Sequence, residues 1–253
     1  MGWQTAGKRP ALPHWTLWVR MARPGFLVVT AIGCVLGMAS AQAAGAFTSA
    51  ALACVTVVLA LMLHAAANML NDHADPINGA DAANTQGLYP FTGGSRMVQT
   101  GQVDAQDMHR VAWVLLTLVA VAGVWLAART GWALLGLGLA GMALGWVYSM
   151  PPLALMARGL GEVAVGLAWG LVVVGADYVQ RGQFSWQAAA VAAGFAALVA
   201  NILIGNGFPD APSDAAVGKR TMVVRLGTQR SAMVYLGLAL WVHGALAAWV
   251  ALH

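Results

Sequence analysis

The chain reads as an all-α, polytopic membrane protein, and three observations carry that reading. Residues are 60% hydrophobic and only 9% charged, a membrane protein's balance. No charged residue falls between Arg23 and Asp72. Apolar segments of near-bilayer length then recur to the carboxy end, and none shows the ~10-residue alternation of a membrane strand.

Taken in order, the elements follow from these runs. The uncharged stretch after Arg23 is too long for one span and breaks near Gly45 to Ser49, where small and polar residues cluster, so it makes two helices. Later spans are expected at about Val111–Ala128, Trp132–Met150, Val163–Tyr178, Trp186–Ile204 and Ala232–Leu252. Each approaches the ~20 residues that cross a ~30 Å hydrocarbon layer, which makes seven spans in one domain, residues 1–253. Gly136, Gly138, Gly141 and Gly145 inside the fourth of these spans read as close helix packing. Cys34 and Cys54 both lie in spans and show no disulfide or metal-ligand spacing. His64 and His243 read as packing or interface residues.

Charge placement orients the bundle. With the amino terminus inside, eleven of thirteen basic residues fall on inner segments, and only Arg129 and Arg181 lie outside. The expected setting is therefore an inner membrane with both chain-internal acidic clusters on the cytoplasmic side. No basic stripe with interleaved aromatics is present, so the excess of positive charge implies no nucleic-acid partner.

The chemistry sits in those acidic clusters. Five of the nine acidic residues (Asp72, Asp75, Asp81, Asp210 and Asp214) stand in two stretches that share an Asn-x-x-x-Asp core. Asn68, Asn71, Asp72 and Asp75 end one apolar segment, and Asn206, Asp210 and Asp214 end another. Asn68, Asp72 and Asp75 are spaced i, i+4 and i+7, which places them on one helix face. The second stretch keeps that spacing, but Pro209 and Pro212 are expected to break or distort its helix. Carboxylates packed this densely repel one another unless a cation joins them. Mg²⁺ suits them, because it takes one or two carboxylates and completes its octahedron with water and phosphate oxygens. Arg96, Lys219 and Arg220 are placed to hold the diphosphate charge, and the glycines before Arg96 let backbone amides close on an anion.

These residues resemble the UbiA superfamily of intramembrane aromatic prenyltransferases. Asn68 to Asp81 is similar to its first signature, Asn-x-x-Asn-Asp-x-x-Asp with a following Gly-x-Asp, and Phe91-Thr-Gly-Gly-Ser-Arg96 to the loop after it. Tyr148, Pro151-Pro152 and Arg158-Gly-Leu-Gly-Glu162 resemble the connection between the fourth and fifth helices. Asn206 to Gly227, with Gly218-Lys-Arg-Thr221, resembles the second signature. The pattern leans toward the menaquinone branch, which prenylates dihydroxynaphthoate.

The resemblance implies an enzyme: a Mg²⁺-dependent transferase moving a polyprenyl group from an allylic diphosphate to an aromatic acceptor in quinone biosynthesis. Its Asp motifs would face each other across a central cavity, and the polyprenyl tail would run sideways into the bilayer. Asp72, Asp75, Asp210 and Asp214 would bind metal, with Asn68, Asn71 and Asn206 assisting. Arg96, Lys219 and Arg220 would bind diphosphate. Tyr148, Arg158 and Asp81 would lie near the cation or the acceptor. Departures from the pattern are His73, where tyrosine is usual, and Gly207, where a polar residue is common. The family fold has nine helices against the seven expected here, so its last two have no counterpart. The competing classes are a transporter or divalent-cation channel with Asp clusters along its path, and a silent, truncated family member.

Topology is directly testable. In a chain lacking Cys34 and Cys54, single cysteines at Ser95 and Ser213 should react with an impermeant thiol reagent only from the inside, and those at Ser40 and His253 only from the outside. The opposite pattern would invert the bundle.

Overall fold

A computed structural model describes residues 14–78 and 94–252. The described residues are helical, in eight α-helices and one short 3₁₀ turn, with no strand. We number them α1 (His14–Met21), α2 (Pro24–Ala43), α3 (Ala50–Asn78), α4 (Ala105–Thr130), α5 (Ala133–Ser149), α6 (Gly161–Arg181), α7 (Trp186–Ala216) and α8 (Met222–Leu252). The 3₁₀ turn, Leu155–Ala157, lies between α5 and α6.

Each of the seven apolar segments falls on a helix. Six of these are long and apolar enough to cross a bilayer. The seventh, α5, has 17 residues; at 1.5 Å per residue it reaches about 26 Å, just short of the hydrocarbon thickness. The protein is a multi-pass membrane protein. Large apolar side chains face outward all along the bundle, as with Val121, Leu139 and Leu167. In water that would be costly, whereas lipid is as apolar as they are.

Local chemistry sets the helix ends. α4 starts six residues before its apolar run because Asp104 caps it, accepting from the Gln106 N–H at 2.7 Å. Ser185 caps α7 in the same way, accepting from Ala188 N–H at 3.1 Å. Gly182 ends α6 in the left-handed conformation at φ 74°.

The two ends of the bundle differ. At one end Gln180 of α6 is buried and accepts from the amides of Thr48 and Ser49, at 3.1 and 3.0 Å. Beside it Arg181 pairs with buried Asp177 at 2.9 Å and donates to the Ser40 carbonyl at 3.3 Å. Polar groups here satisfy one another and staple the turns. The opposite end gathers the segments flanking both acidic clusters, over a core that includes Met21, Met69, Met97, Met108 and Met150. Flexible thioethers fill the irregular space where α1, α3, α4 and the 94–104 segment converge.

One expectation changes. α7 runs unbroken through Pro209 and Pro212 to Ala216. Each proline removes one backbone donor, yet the packing of α7 between α6 and α8 holds the turn. The bend comes later, at Gly227, whose φ 78° and ψ 164° divide α8 into a short first turn and a long arm.

Helix α2 packs closely against α6 at Gly37. A Cβ there would meet the Val173 carbonyl oxygen and approach the Asp177 amide to 2.9 Å. Gly37→Ala should therefore destabilise the detergent-solubilised protein by roughly 1–3 kcal/mol. Gly136→Ala, where nothing lies within 4 Å, should be neutral or mildly stabilising. Thermal unfolding of the two variants checks this; equal melting points would remove the close contact from the account.

Candidate functional site

A cavity of about 260 Å³ opens between α2, α3, α5, α6 and α7. On α3 it is lined by His64, Ala67, Asn68 and Asn71, spaced i, i+3, i+4 and i+7. On α7 the stripe is Val199, Ile202, Leu203, Asn206, Asp210 and Asp214. Both stripes change from apolar to polar toward the same end. The continuation of α7 past its prolines is what carries Asp210 and Asp214 to the cavity, on the helix itself and not on a loop.

Two cations complete the polar end. Lys219 follows α7 and lies 3.2 Å from the Asp214 carboxylate, which is 4% exposed. Its own N–H donates to the Asp214 carbonyl at 2.9 Å, so backbone and side chain fix the pair together. Arg23 stands in the turn between α1 and α2 with left-handed φ 54°. From there it covers the Phe26 ring at 4.6 Å, donates to the Asn71 side-chain oxygen at 3.4 Å and lies 3.7 Å from Asp72.

Asp72 departs from the expected geometry. Asn68 and Asn71 line the cavity, but Asp72 does not. At about 100° per residue it is turned about 40° beyond Asn68, away from the centre of the stripe. It packs instead between Arg23 and the 94–95 backbone, where its Oδ1 accepts from the Ser95 N–H at 3.1 Å. Its other oxygen, Oδ2, is buried and has no partner among the described residues. An orphaned carboxylate oxygen at this depth costs on the order of 1–3 kcal/mol or more, and a cation would relieve it.

The amides are positioned rather than free. Asn68 donates to the Ala22 carbonyl at 3.0 Å. Asn71 donates to Ser149 Oγ at 3.2 Å and to Met156 Sδ at 3.0 Å. Both therefore turn their amide nitrogens to protein. The Asn71 oxygen accepts from Arg23 at 3.4 Å, and amide oxygens of this kind are hard donors that suit a hard cation. Among the described residues no three acidic, histidine or cysteine side chains converge. A site built here is of the kind that phosphate oxygens complete.

Residues 25–253 match the UbiA prenyltransferase family. The chain belongs to that family. It is 33% identical over 223 residues to a 1,4-dihydroxy-2-naphthoate octaprenyltransferase of Mycobacterium tuberculosis, covering 87% of this chain and 73% of that relative. It is 25% identical over 229 residues to a 2-carboxy-1,4-naphthoquinone phytyltransferase of Synechocystis, covering 86% and 68%. The fold matches a UbiA homolog from Archaeoglobus fulgidus bound to GPP and Mg²⁺, with a TM-score of 0.65 at 17% identity over 89% of this chain and 74% of that one. This UbiA chain is accordingly a membrane prenyltransferase of quinone biosynthesis, and not a transporter or channel.

The remaining sequence expectations divide cleanly. Tyr148, Asn206, Asp210, Asp214 and Lys219 of this UbiA chain line the cavity. Arg220 and Arg158 are exposed and do not. Arg220 is held by its backbone to Ala157 at 2.9 Å, and Arg158 donates to the Pro152 carbonyl at 2.7 Å. Arg96 lies off the cavity, whereas Gly94 lines it. Asp81 and the Asp75 side chain lie outside the described residues.

Both departures from the family pattern have local explanations. A Cβ on Gly207 would stand 3.0 Å from a Val223 side-chain methyl, so α7 meets α8 closely there. His73 directs Nδ1 to the Ala105 carbonyl at 2.8 Å and lies against His109, ring centres 4.5 Å apart. Arg23 and His64 are among the lining residues that escaped the motif reading. The only signal for Arg23 is Arg-Pro-Gly at a helix start. His64 is expected in packing but found in the cavity wall.

Proposed function

We propose that this protein transfers a polyprenyl group from an allylic diphosphate to a dihydroxynaphthoate-type aromatic acceptor, a step of menaquinone formation. One observation carries the proposal: the two Asn/Asp stretches of α3 and α7 meet at one cavity whose polar end bears Arg23 and Lys219 and whose remainder is mostly apolar. A substrate with an anionic head and a long apolar tail has that same division. The names of the relatives, octaprenyl- and phytyltransferases of naphthoate compounds, support it.

In this reading Asp72, Asp210 and Asp214, with Asn68, Asn71 and Asn206, hold Mg²⁺ together with the diphosphate, and Asp75 joins them. Mg²⁺ bound there supplies charge neutralisation on the departing diphosphate. Arg23 and Lys219 bind the same head group, and each already balances one carboxylate, so the site is arranged before substrate arrives. The apolar wall, including Leu144, Val172 and Leu203, keeps water from the allylic cation that departure leaves. A second cavity of about 310 Å³ shares Ala60, Gly141, Ala168 and Val172 with the first and is almost wholly apolar. It gives the isoprenoid tail a path away from the head group. The site faces the cytoplasm of an inner membrane, as the basic residues gathered at the polar end favour, and the domain acts as one unit.

Two predictions follow from this chemistry. Excess chelator should abolish prenyl transfer in membranes, and Mg²⁺ or Mn²⁺ should restore it; full turnover in chelator would remove the metal from the reaction. Asp72→Ala and Asp210→Ala should each lower kcat by about 10²–10³. The double variant should be little worse than either, because groups that act as a unit are not additive. Strictly additive barrier changes would place the two clusters at separate sites.

The cations should separate by position. Arg23→Met and Lys219→Met should raise the KM for prenyl diphosphate about tenfold or more, since each removes a charge-assisted contact. Arg220→Met, off the cavity, should stay within about twofold. A large effect at Arg220 with none at Arg23 would show that the diphosphate lies outside this cavity.

A further inference from the structure

Beneath the polar end, the cavity wall carries three polar side chains that neither Asp stretch explains. Thr30 of α2, His64 of α3 and Trp169 of α6 all line it. Thr30 Oγ1 and His64 Nδ1 share a hydrogen bond of 2.8 Å, with Thr30 1% and His64 9% exposed. The His64 and Trp169 rings meet edge to face with centroids 4.8 Å apart. The indole Nε1 of Trp169 is buried and has no hydrogen-bond partner among the described residues.

A buried N–H without an acceptor costs on the order of 1–3 kcal/mol. A ligand that brings an oxygen to this depth recovers it. The diphosphate is not that ligand: His64 precedes Asp72 by eight residues, about 12 Å along α3. The isoprenoid tail has no polar atom to offer. What fits is a flat apolar body carrying a hydroxyl, placed between the head group and the tail, where the allylic carbon lies.

We propose that Thr30, His64 and Trp169 form the binding site for a ring hydroxyl of the aromatic acceptor. The proposal rests on the prenyl-transfer reading above. Trp169 Nε1–H donates to the hydroxyl oxygen. Thr30 occupies His64 Nδ1, which leaves Nε2 as the ring nitrogen for a ligand; with Nδ1–H donated to Thr30, Nε2 accepts the hydroxyl proton. A hydroxyl held as donor pushes electron density into its ring, which makes the ring carbons better nucleophiles. Thr30 and His64 thereby select a hydroxylated ring over an unsubstituted one of the same shape.

The test is steady-state kinetics of the full chain in membranes, with radiolabelled geranylgeranyl diphosphate and varied 1,4-dihydroxy-2-naphthoate. His64→Phe and Trp169→Phe should each raise the acceptor KM about tenfold or more while leaving the prenyl diphosphate KM within about twofold. As a competitor, 1,4-dimethoxy-2-naphthoate has no proton to donate. Wild type should bind it more weakly than the dihydroxy compound, and His64→Phe should lose that preference. An unchanged acceptor KM in both variants, with wild type active, overturns this site and leaves the prenyl-transfer reading standing. Loss of prenyl diphosphate binding in both variants assigns the three residues a structural role and also overturns it. Absence of prenylated product from wild type removes the prenyl-transfer reading, and this site with it.

Discussion

A carboxylate in a helical bundle of this apolarity needs a counter-charge or a donor, and the polar end of the molecule is organised around meeting that need. Asp72 takes Arg23 and the Ser95 amide, and Asp214 takes Lys219. The Asp72 contacts join segments distant in sequence, whereas Lys219 closes on Asp214 just past the end of α7. Arg23 ties the α1–α2 turn to α3, and Ser95 brings the 94–104 segment over the same carboxylate. Removing one partner of such a pair leaves an uncompensated buried charge, which costs several kcal/mol. The geometry of the cavity mouth therefore depends on these pairings as much as on helix packing.

The opposite end solves the same problem with partners from the protein itself. Asp177 is satisfied by Arg181 and Ser185, and Gln180 by the backbone and side chain of the α2–α3 turn. The contrast is informative. At the staple Asp177, Gln180 and Arg181 all find protein partners; where the site lies, Asp72 Oδ2 and the Trp169 indole N–H are left over among the described residues. An orphaned polar atom in an apolar bundle is costly, and these two lie at or beside the cavity.

Much of this was legible in the residues themselves. Long uncharged runs specify spanning helices because a backbone in lipid must satisfy its own hydrogen bonds. The paired Asn-x-x-x-Asp stretches marked the polar end and the family, since few side chains combine hard oxygens with that spacing. Less legible were the contributions that do not recur as a motif. Arg23 reaches Asp72 only because a left-handed turn aims it there. Arg220 and Arg158 carry the right charge but point elsewhere. The prolines of α7 misled in the opposite sense, because local propensity favours a break and tertiary packing holds the helix.

Hydropathy and charge order, properties of the chain in one dimension, thus determined the helices, their alternation across the membrane and the end at which the acidic groups collect. Which side chains share a cavity was decided in three dimensions. A rotation of about 40° around α3 separates Asn68 from Asp72, and no sequence spacing shows which of the two a neighbouring helix will face. The same holds for Thr30, His64 and Trp169, which lie on three different helices. Each is unremarkable in its own segment. They become a polar patch in an apolar wall only when α2, α3 and α6 pack together, because desolvation is a property of the assembled surroundings and not of the residue.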